Sequence, residues 1–417
     1  MLQYPKFVAY HFLNGNGELK CMEEDGKNTE KFLKEGFNVD GSSIGGSMLT
    51  VEKSDLKVMP EKDSFLHIEI GDFVHDRFLG KLVDNEGNPH PMDPRGIFSK
   101  LIDKARKMGF EPYMFSEIEF YIVDKDGKPA DNAEYCSLPP EDKSYDFRHE
   151  LGELCKKAGM NVKRIHHENG PGQNEIELNF SPCLKNADDS LLAMFFMKML
   201  AAKRDQKILF SPKPFKDDAG NGLHHHILLR DVKTGENVFY NKDFTGNIDD
   251  PTKCAGKLSD ICKHGIAGLL KYADDITAVF ASHKETFERL KPGFEAPIFK
   301  AWDFSNRTAL VRVPKSSLDM TRFEYRGGDL SGSIHLYGSV LLAAVLKGIE
   351  EKLELQPNSH FNVETLTDEE RNAKGIYSVP TSFDKCIEVL KNSKFLEEAL
   401  GPTMVQYLIQ RDEKLKK

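Results

Sequence analysis

A chain of 417 residues that is 39% hydrophobic can bury a large core, and at roughly 150 residues per domain it reads as about two domains. Its 66 acidic and 57 basic residues leave a net charge of -9, which argues against nucleic acid as the main partner, because phosphate backbones select basic faces. The seven cysteines (21, 136, 155, 183, 254, 262 and 386) show no paired CxxC spacing, so they read as reduced thiols of a cytoplasmic protein, and zinc held by thiolates is not expected. Met1 to Lys6 lack the basic segment and apolar run of a signal peptide. The longest apolar stretch, Leu191 to Ala202, is interrupted by Lys198 and is too short to cross a bilayer. Residues 7 to 75 hold short alternating runs with Gly and Asn turns, among them Phe7 to Leu13 and Phe65 to Ile70, as in a small sheet domain. Within it, Asn38 to Ser47 is rich in Gly and Ser and reads as turns. Gly80 to Arg95 is the best candidate boundary, giving expected domains of 1–92 and 93–417. Asp93 and Pro94 then start a helix reaching about Met108. Beyond it, strands alternate with helical patterns at 143–158, 188–206, 256–280 and 338–353.

The most informative stretch is His166 to Phe180. Gly170, Pro171 and Gly172 break any regular element, so it reads as a loop followed by a strand, in which Glu175, Glu177 and Asn179 alternate with Ile176, Leu178 and Phe180. Three other runs share this character: Glu117-Ile118-Glu119-Phe120, His224-His225-His226-Ile227 and Arg322-Phe323-Glu324-Tyr325-Arg326. Solvent-facing sides of strands normally mix Lys, Thr, Ser and Gln, whereas these are Glu, His and Arg. Unpaired buried carboxylates cost several kcal/mol each, so their convergence points to hard divalent metals such as Mg²⁺ or Mn²⁺.

In order along the chain, the motifs resemble those of the type I (bacterial and archaeal) glutamine synthetase family. They are Asp40-Gly41-Ser42-Ser43, Ser54-Asp55 with Pro60, Asp93-Pro94-Arg95, Glu117 to Phe120, and His166 through Gly172-Gln173-Asn174-Glu175. Gly220 to His226, Arg289 to Pro297, Asn306-Arg307, Arg312-Val313-Pro314 and Arg322 to Arg326 complete the series. The resemblance implies an α+β fold: a small N-terminal β-grasp-like domain, then a catalytic domain of curved antiparallel sheet flanked by helices. It implies a homo-oligomer, a hexameric ring with sites between neighbours, stacked in some members to a dodecamer. The charged run Asp412 to Lys417 suggests weak stacking.

The implied reaction joins ammonia to the γ-carboxylate of glutamate. ATP first phosphorylates glutamate to γ-glutamyl phosphate, and ammonia then displaces phosphate. Glu119, Glu168 and Glu175 match the ligands of one metal, and Glu117, His224 and Glu324 those of a second, with Mg²⁺ or Mn²⁺ as cofactor and ATP as co-substrate. Arg307 matches the arginine beside the transferred phosphoryl group, Arg289 and Arg326 the glutamate clamps, and Gly220 a backbone contact to the amino acid. Asp40 matches the base that deprotonates ammonium, with Ser43, Tyr135, Glu168 and Glu295 forming the rest of that pocket. Phe180, His226 and Arg312 fall on the nucleotide side.

Departures from the family pattern spare the metal ligands and the arginines and are most marked on the nucleotide side, where Leu228 stands for the frequent Ser and Asp319 for the frequent Lys. One extra residue lies between Asp40 and Asp55, Lys163 stands where Glu is usual, and Ala219 where Asn is usual. Gly327 to His335 replaces the pattern that normally follows the last arginine. The alternative readings are a γ-glutamyl ligase for an organic amine or polyamine, and a non-catalytic regulatory or structural homologue. Tyr377 aligns with a tyrosine adenylylated in some members but reads here as an exposed loop residue.

Overall fold

A computed structural model describes residues 4–247, 254–293 and 296–417, with 254 and 255 described by backbone alone. The N-terminal part is a sheet of six strands: β1 (Phe7–Leu13), β2 (Leu19–Asp25), β3 (Phe37–Asp40), β4 (Asp55–Pro60), β5 (Leu66–Ile70) and β6 (Phe73–Val83). Their order is β2-β1-β6-β4-β3, with β5 also paired to β6. The alternation in each strand splits the side chains between two environments. Val8, Tyr10, Phe37, Val58 and Phe78 form a separate small core with Phe32 of the helix Thr29–Glu35 packed against it. Ile68 and Ile70 instead join the large core of the rest of the chain.

Asp93-Pro94-Arg95 joins the two parts. The buried Asp93 carboxylate caps the helix Pro94–Lys107 by accepting from the Arg95 amide (3.1 Å) and also accepts from the Leu82 amide of β6 (3.1 Å). Burial pushes its pKa up to about 6. Arg95 forks onto Asp188 at 2.9 to 3.1 Å and reaches Glu61, beside the small sheet, at 2.9 Å. A bidentate buried pair of this kind fixes orientation.

The second part is a curved sheet of eight strands. They are β7 (Phe110–Asp124), β8 (Val162–His167), β9 (Gln173–Pro182), β10 (Gln206–Leu209), β11 (Leu223–Asp231), β12 (Trp302–Phe304), β13 (Val311–Val313) and β14 (Phe323–Tyr325). The order is β12-β13-β14-β11-β7-β9-β8, with β10 on the end of β7. The helices Pro94–Lys107, Cys183–Lys203 and Ile334–Glu350 contribute to the large core with the apolar side chains of these strands. Helices Asp260–Lys271 and Ile334–Glu350 cross in backbone contact, since a Cβ on Gly268 would lie 2.1 Å from the Ala344 carbonyl oxygen.

Three elements differ from expectation. The stretch before β9 is not only a loop, because residues up to His167 form β8, paired with β9. The helix expected over 256–280 is two helices, Asp260–Lys271 and Ala273–Phe280, interrupted at Tyr272. The helix expected to begin at 188 starts at Cys183, directly after β9. The divergent segment after Arg326 forms a loop whose Ser333 hydroxyl accepts from the Leu336 amide (3.3 Å) and starts the long buried helix Ile334–Glu350. Among the described residues no helix is long and apolar enough to cross a membrane, and the six described cysteine side chains are free thiols. Tyr377 is exposed.

Candidate active site

Strands β14, β11, β7 and β9 lie side by side, and their registers set the polar residues in rows across one face. His226 faces Glu324, and His224 faces Glu117. Glu117 in turn faces Glu177, and Glu119 faces Glu175. β13 adds Arg312 opposite Glu324, while β8 adds Arg164 opposite Glu177 and His166 opposite Glu175. Two-residue periodicity keeps all of these on the same side of the sheet. They line a cavity of about 750 Å³, except Glu324, which lies beneath its floor with no exposed surface.

Hydrogen bonding links the rows. His224 Nδ1 lies 3.1 Å from Glu117 Oε2, and His226 Nε2 lies 2.9 Å from Glu117 Oε1. His224 Nδ1 is also 3.8 Å from Glu119 and 3.9 Å from Glu324. The Gly222 amide donates to Glu119 Oε2 at 2.7 Å. His166 Nε2 stands 3.1 Å from Glu168 and 3.9 Å from Glu175. Glu324 is paired with Arg326 Nη1 at 2.7 Å and with Arg312.

The carboxyls divide electrostatically into two sets. Burial alone would raise Glu117, but His226 and His224 hold it well below the usual carboxylate range. Glu324 is likewise opposed by burial yet held down to about 2, chiefly by Arg326 and His226. Glu119 is pushed up to about 8 by burial and by Glu168, and Glu175 is pushed well up by burial and the charges of Glu117 and Glu119. His224 is lowered to about 4 by burial and Arg326, so its ring is neutral.

A pair of hard divalent cations fits this donor set. His224 turns Nδ1 toward the carboxylates, at 3.1 Å from Glu117, 3.8 Å from Glu119 and 3.9 Å from Glu324, so this neutral nitrogen is the one a cation shared with them would take. Glu119, despite the charge of Arg289, and Glu175 are both raised by burial and by neighbouring carboxylates, a crowding that cations would relieve. Three tight groups here offer ligand atoms within 4.8 Å of one another: Glu117 with His226 and Glu324, Glu168 with His166 and Glu175, and Glu117 with Glu175 and Glu177. Of the expected ligands, Glu117, Glu324, Glu168 and Glu175 fall in these groups, whereas Glu119 and His224 do not, and His166 and His226 stand in the groups in their stead.

Arginines and small residues form the rest of the cavity. Arg289, fully buried, donates from Nη1 to the Gly327 carbonyl at 2.9 Å, and Arg326 lies beside it. Gly220 admits no side chain, since a Cβ would sit 2.6 Å from the Pro212 carbonyl oxygen and 2.9 Å from Arg289 Cγ. Arg307 is exposed at the rim and makes no hydrogen bond or ion pair with the described residues. Tyr135 also lines the cavity, its ring edge-on to His166 at 5.4 Å. Phe180 stands behind the wall, 5.2 Å from Phe115, which stacks flat on His226 at 3.9 Å. Asp40 and Ser43 are not among the lining residues. They sit on the small sheet domain, where Asp40 accepts from the Ser42 and Ser43 hydroxyls, each at 2.7 Å. Glu295 lies outside the described residues.

Several contributors carry no role in the motif reading. Gly222 holds Glu119 through its amide, and Gln173 Nε2 donates to the Gly220 carbonyl at 3.0 Å. Tyr121 donates to the Ala219 carbonyl at 2.7 Å, so the unusual alanine is held by its backbone. Lys163 pairs with the buried Glu177, which Arg164 also reaches at 3.0 Å. A buried carboxylate needs such cations. Lys163 and Glu177 are 14 residues apart along the chain, and only the β8–β9 pairing reveals their meeting.

Comparison with known proteins gives a consistent result. The family described as glutamine synthetase, catalytic domain, matches residues 91–414, and glutamine synthetase, beta-Grasp domain, matches residues 5–83. The glutamine synthetase of Pyrococcus abyssi is 32% identical over 408 residues, covering 97% of this chain and 89% of that one. That of Mycolicibacterium smegmatis is 33% identical over 418 residues, covering 97% and 91%. Among solved structures, a GmaS/ADP complex superposes with a TM-score of 0.86 at 20% identity, covering 98% of this chain and 93% of that one. Plasmodium falciparum glutamine synthetase gives 0.85 at 22% identity, covering 98% and 92%. At these identities the two structures speak to the fold.

Proposed function

The chain belongs to the glutamine synthetase family, and from that premise we propose that it is a glutamate–ammonia ligase making glutamine, ADP and phosphate by way of γ-glutamyl phosphate. The observation that carries this reading is the stripe of Glu and His across four neighbouring strands, facing one cavity with arginines around it. Two divalent cations, Mg²⁺ or Mn²⁺, held by Glu119, Glu168 and Glu175 and by Glu117, His224 and Glu324, would neutralise nucleotide phosphates and polarise the acceptor carboxylate.

The chain's own residues supply position and charge. Arg289 is anchored by its bonds from Nη1 to the Gly327 carbonyl and from Nη2 to the Arg326 carbonyl at 3.5 Å, which hold its guanidinium in place to meet a substrate carboxylate beside Arg326. Gly220 keeps that end clear of side chains. Arg307, uncommitted at the rim, is free to meet the transferred phosphoryl oxygens as charge shifts onto the leaving ADP. His226 and Arg312 frame the nucleotide end, with Phe180 backing them through Phe115.

In the second step the ammonia nitrogen attacks the acyl carbon and the carbon–oxygen bond to phosphate breaks. The proton given up by ammonium goes to a carboxylate. Asp40 suits attraction of that cation, because the Ser42 and Ser43 hydroxyls lower its pKa and keep it ionised. Since Asp40 does not line its own chain's cavity, we place it in the site of a neighbouring subunit of a homo-oligomeric ring, an arrangement that a heterologous interface repeats at every site. Glu295 has the role of a lid carboxylate that keeps water from the acyl phosphate.

The test is an acceptor screen with ATP and glutamate, in which ammonium, methylamine and a diamine are compared by ADP release and product mass. Ammonium giving glutamine as the preferred product supports the reading. Preference for an organic amine would make the chain a γ-glutamyl amide ligase, and no glutamate-dependent ATP turnover with any acceptor would leave only a non-catalytic role.

A further inference from the structure

A second cluster of metal-ligating side chains lies on the small sheet, apart from the cavity and independent of the reaction proposed for it. His11 on β1 faces Cys21 on β2 directly across the strand pair. His75, on β6, brings its Nε2 to 2.7 Å from His11 Nε2, with ring centroids 4.9 Å apart. A ring nitrogen of each histidine and the Cys21 sulfur all lie within 4.8 Å of one another. His11 is buried, His75 half-buried and Cys21 exposed. Both rings pack near Phe195 of the helix Cys183–Lys203, each centroid 6.3 Å away.

We propose that His11, His75 and Cys21 form a binding site for a thiophilic cation of the zinc class, with water in the remaining position. Zinc takes imidazole nitrogen at about 2.0–2.1 Å and thiolate at about 2.3 Å, so tetrahedral nitrogens stand about 3.3 Å apart. The rings therefore need to part by only a few tenths of an ångström, and half-buried His75 and exposed Cys21 have room to adjust. Soft thiolate with imidazole selects such an ion over Mg²⁺, whereas the carboxylate-rich cavity has the reverse preference. Burial, with Arg77 beyond it, keeps His11 neutral and lowers His75 as well, leaving both rings in the form that ligates. Burial also raises Cys21 to about 11, so binding displaces a thiol proton. Glu23, whose charge acts on His75, adds attraction for a cation. The bound ion would tie the edge strand β2 to β1 and β6. The ligands come from three strands with no short spacing between them, which is why cysteine spacing gave no sign of the site.

The experiment uses the full-length chain, stripped with chelator, reduced, and then saturated with Mg²⁺ to fill the cavity centre. Co²⁺ is titrated as the spectroscopic probe, since only thiolate ligation produces a near-ultraviolet charge-transfer band. The expected result is a band that saturates at one equivalent, is abolished by Zn²⁺, is lost in Cys21→Ser and persists in Cys136→Ser, the other exposed cysteine among the described residues. His75→Gln should weaken Co²⁺ binding by at least about tenfold, the scale on which even indirect partners of metal ligands act. Cys21 is exposed and Ser is nearly isosteric, so folding is not at stake. No band in the parent protein, a band that survives Cys21→Ser, or unchanged affinity in His75→Gln would each overturn the proposal.

Discussion

Glu119 and Glu324 are both expected ligands, yet their environments predict opposite effects on stability when each is replaced by Gln in chelated protein. Glu119 has its folded-state pKa raised from 4.5 to about 8, so the folded chain binds more protons than the unfolded chain across that window. Stability is therefore lost as pH rises through it. A pH of 7 lies about 2.5 pH units above the unfolded pKa of 4.5 and still below the folded one, and at about 1.36 kcal/mol per unit this comes to about 3 kcal/mol of destabilisation. Glu119→Gln removes that penalty. Glu324 is shifted the other way, to about 2, and its stabilisation is present above 4.5 and lost only as pH falls toward 2. Replacing it leaves Arg312 and Arg326 without their buried anion, a loss of about 3–5 kcal/mol for a broken buried pair. Thermal unfolding of chelated protein at pH 7.5 should thus show Glu119→Gln melting above the parent and Glu324→Gln well below it. Both variants should be inactive with Mg²⁺ present. Shifts of the same sign would refute the division of the carboxyls into two electrostatic sets.

Three other outcomes follow from the site. Gly222→Ala places a methyl 2.6 Å from His224 Nε2 and 3.0 Å from Arg289 Nη2, so kcat/KM should fall about 100-fold, as for an ångström-scale displacement of catalytic groups, while circular dichroism stays native; activity within twofold of the parent would show that the loop yields freely. Because Glu119 and Glu175 are raised, cation binding at pH 7 should release protons and tighten as pH rises to about 8; calorimetry in buffers of different ionisation enthalpy counts them, and zero release would contradict the shifts. Asp40→Ala and Glu295→Ala proteins should each be nearly inactive, yet random mixed rings should regain up to about a quarter of the sites; verified mixed rings without activity would mean that each site is contained in one chain.

Much of this architecture can be read from two-residue alternation. Glu117 and Glu119, Glu175 and Glu177, His224 and His226, and Glu324 between Phe323 and Tyr325 each declare one polar face, and the alternating apolar residues declare the other, so the four central strands and their convergence are legible. β8 is not, because Val162 to His167 has few apolar residues and its pairing with β9 depends on contacts across the Gly170–Gly172 turn. The break at Tyr272 is also hidden, since both flanking segments keep a helical pattern and no Gly or Pro marks the interruption. Long-range pairing is the other blind spot. Nothing local tells that Arg326 and Arg312 both turn to Glu324, nor that Asp93-Pro94-Arg95 fastens the small sheet through Leu82, Asp188 and Glu61. Composition shows that charges must meet, but only the register shows which ones do.

The central claim, that glutamate is activated as γ-glutamyl phosphate before ammonia enters, is tested most directly by oxygen transfer. Glutamate labelled with ¹⁸O in its γ-carboxylate is turned over with ATP and ammonium, and the inorganic phosphate is analysed by mass spectrometry. Phosphate carrying one ¹⁸O per glutamine formed is the predicted result, because the carboxylate oxygen that attacks the γ-phosphorus leaves with it. Unlabelled phosphate formed alongside glutamine would contradict the account.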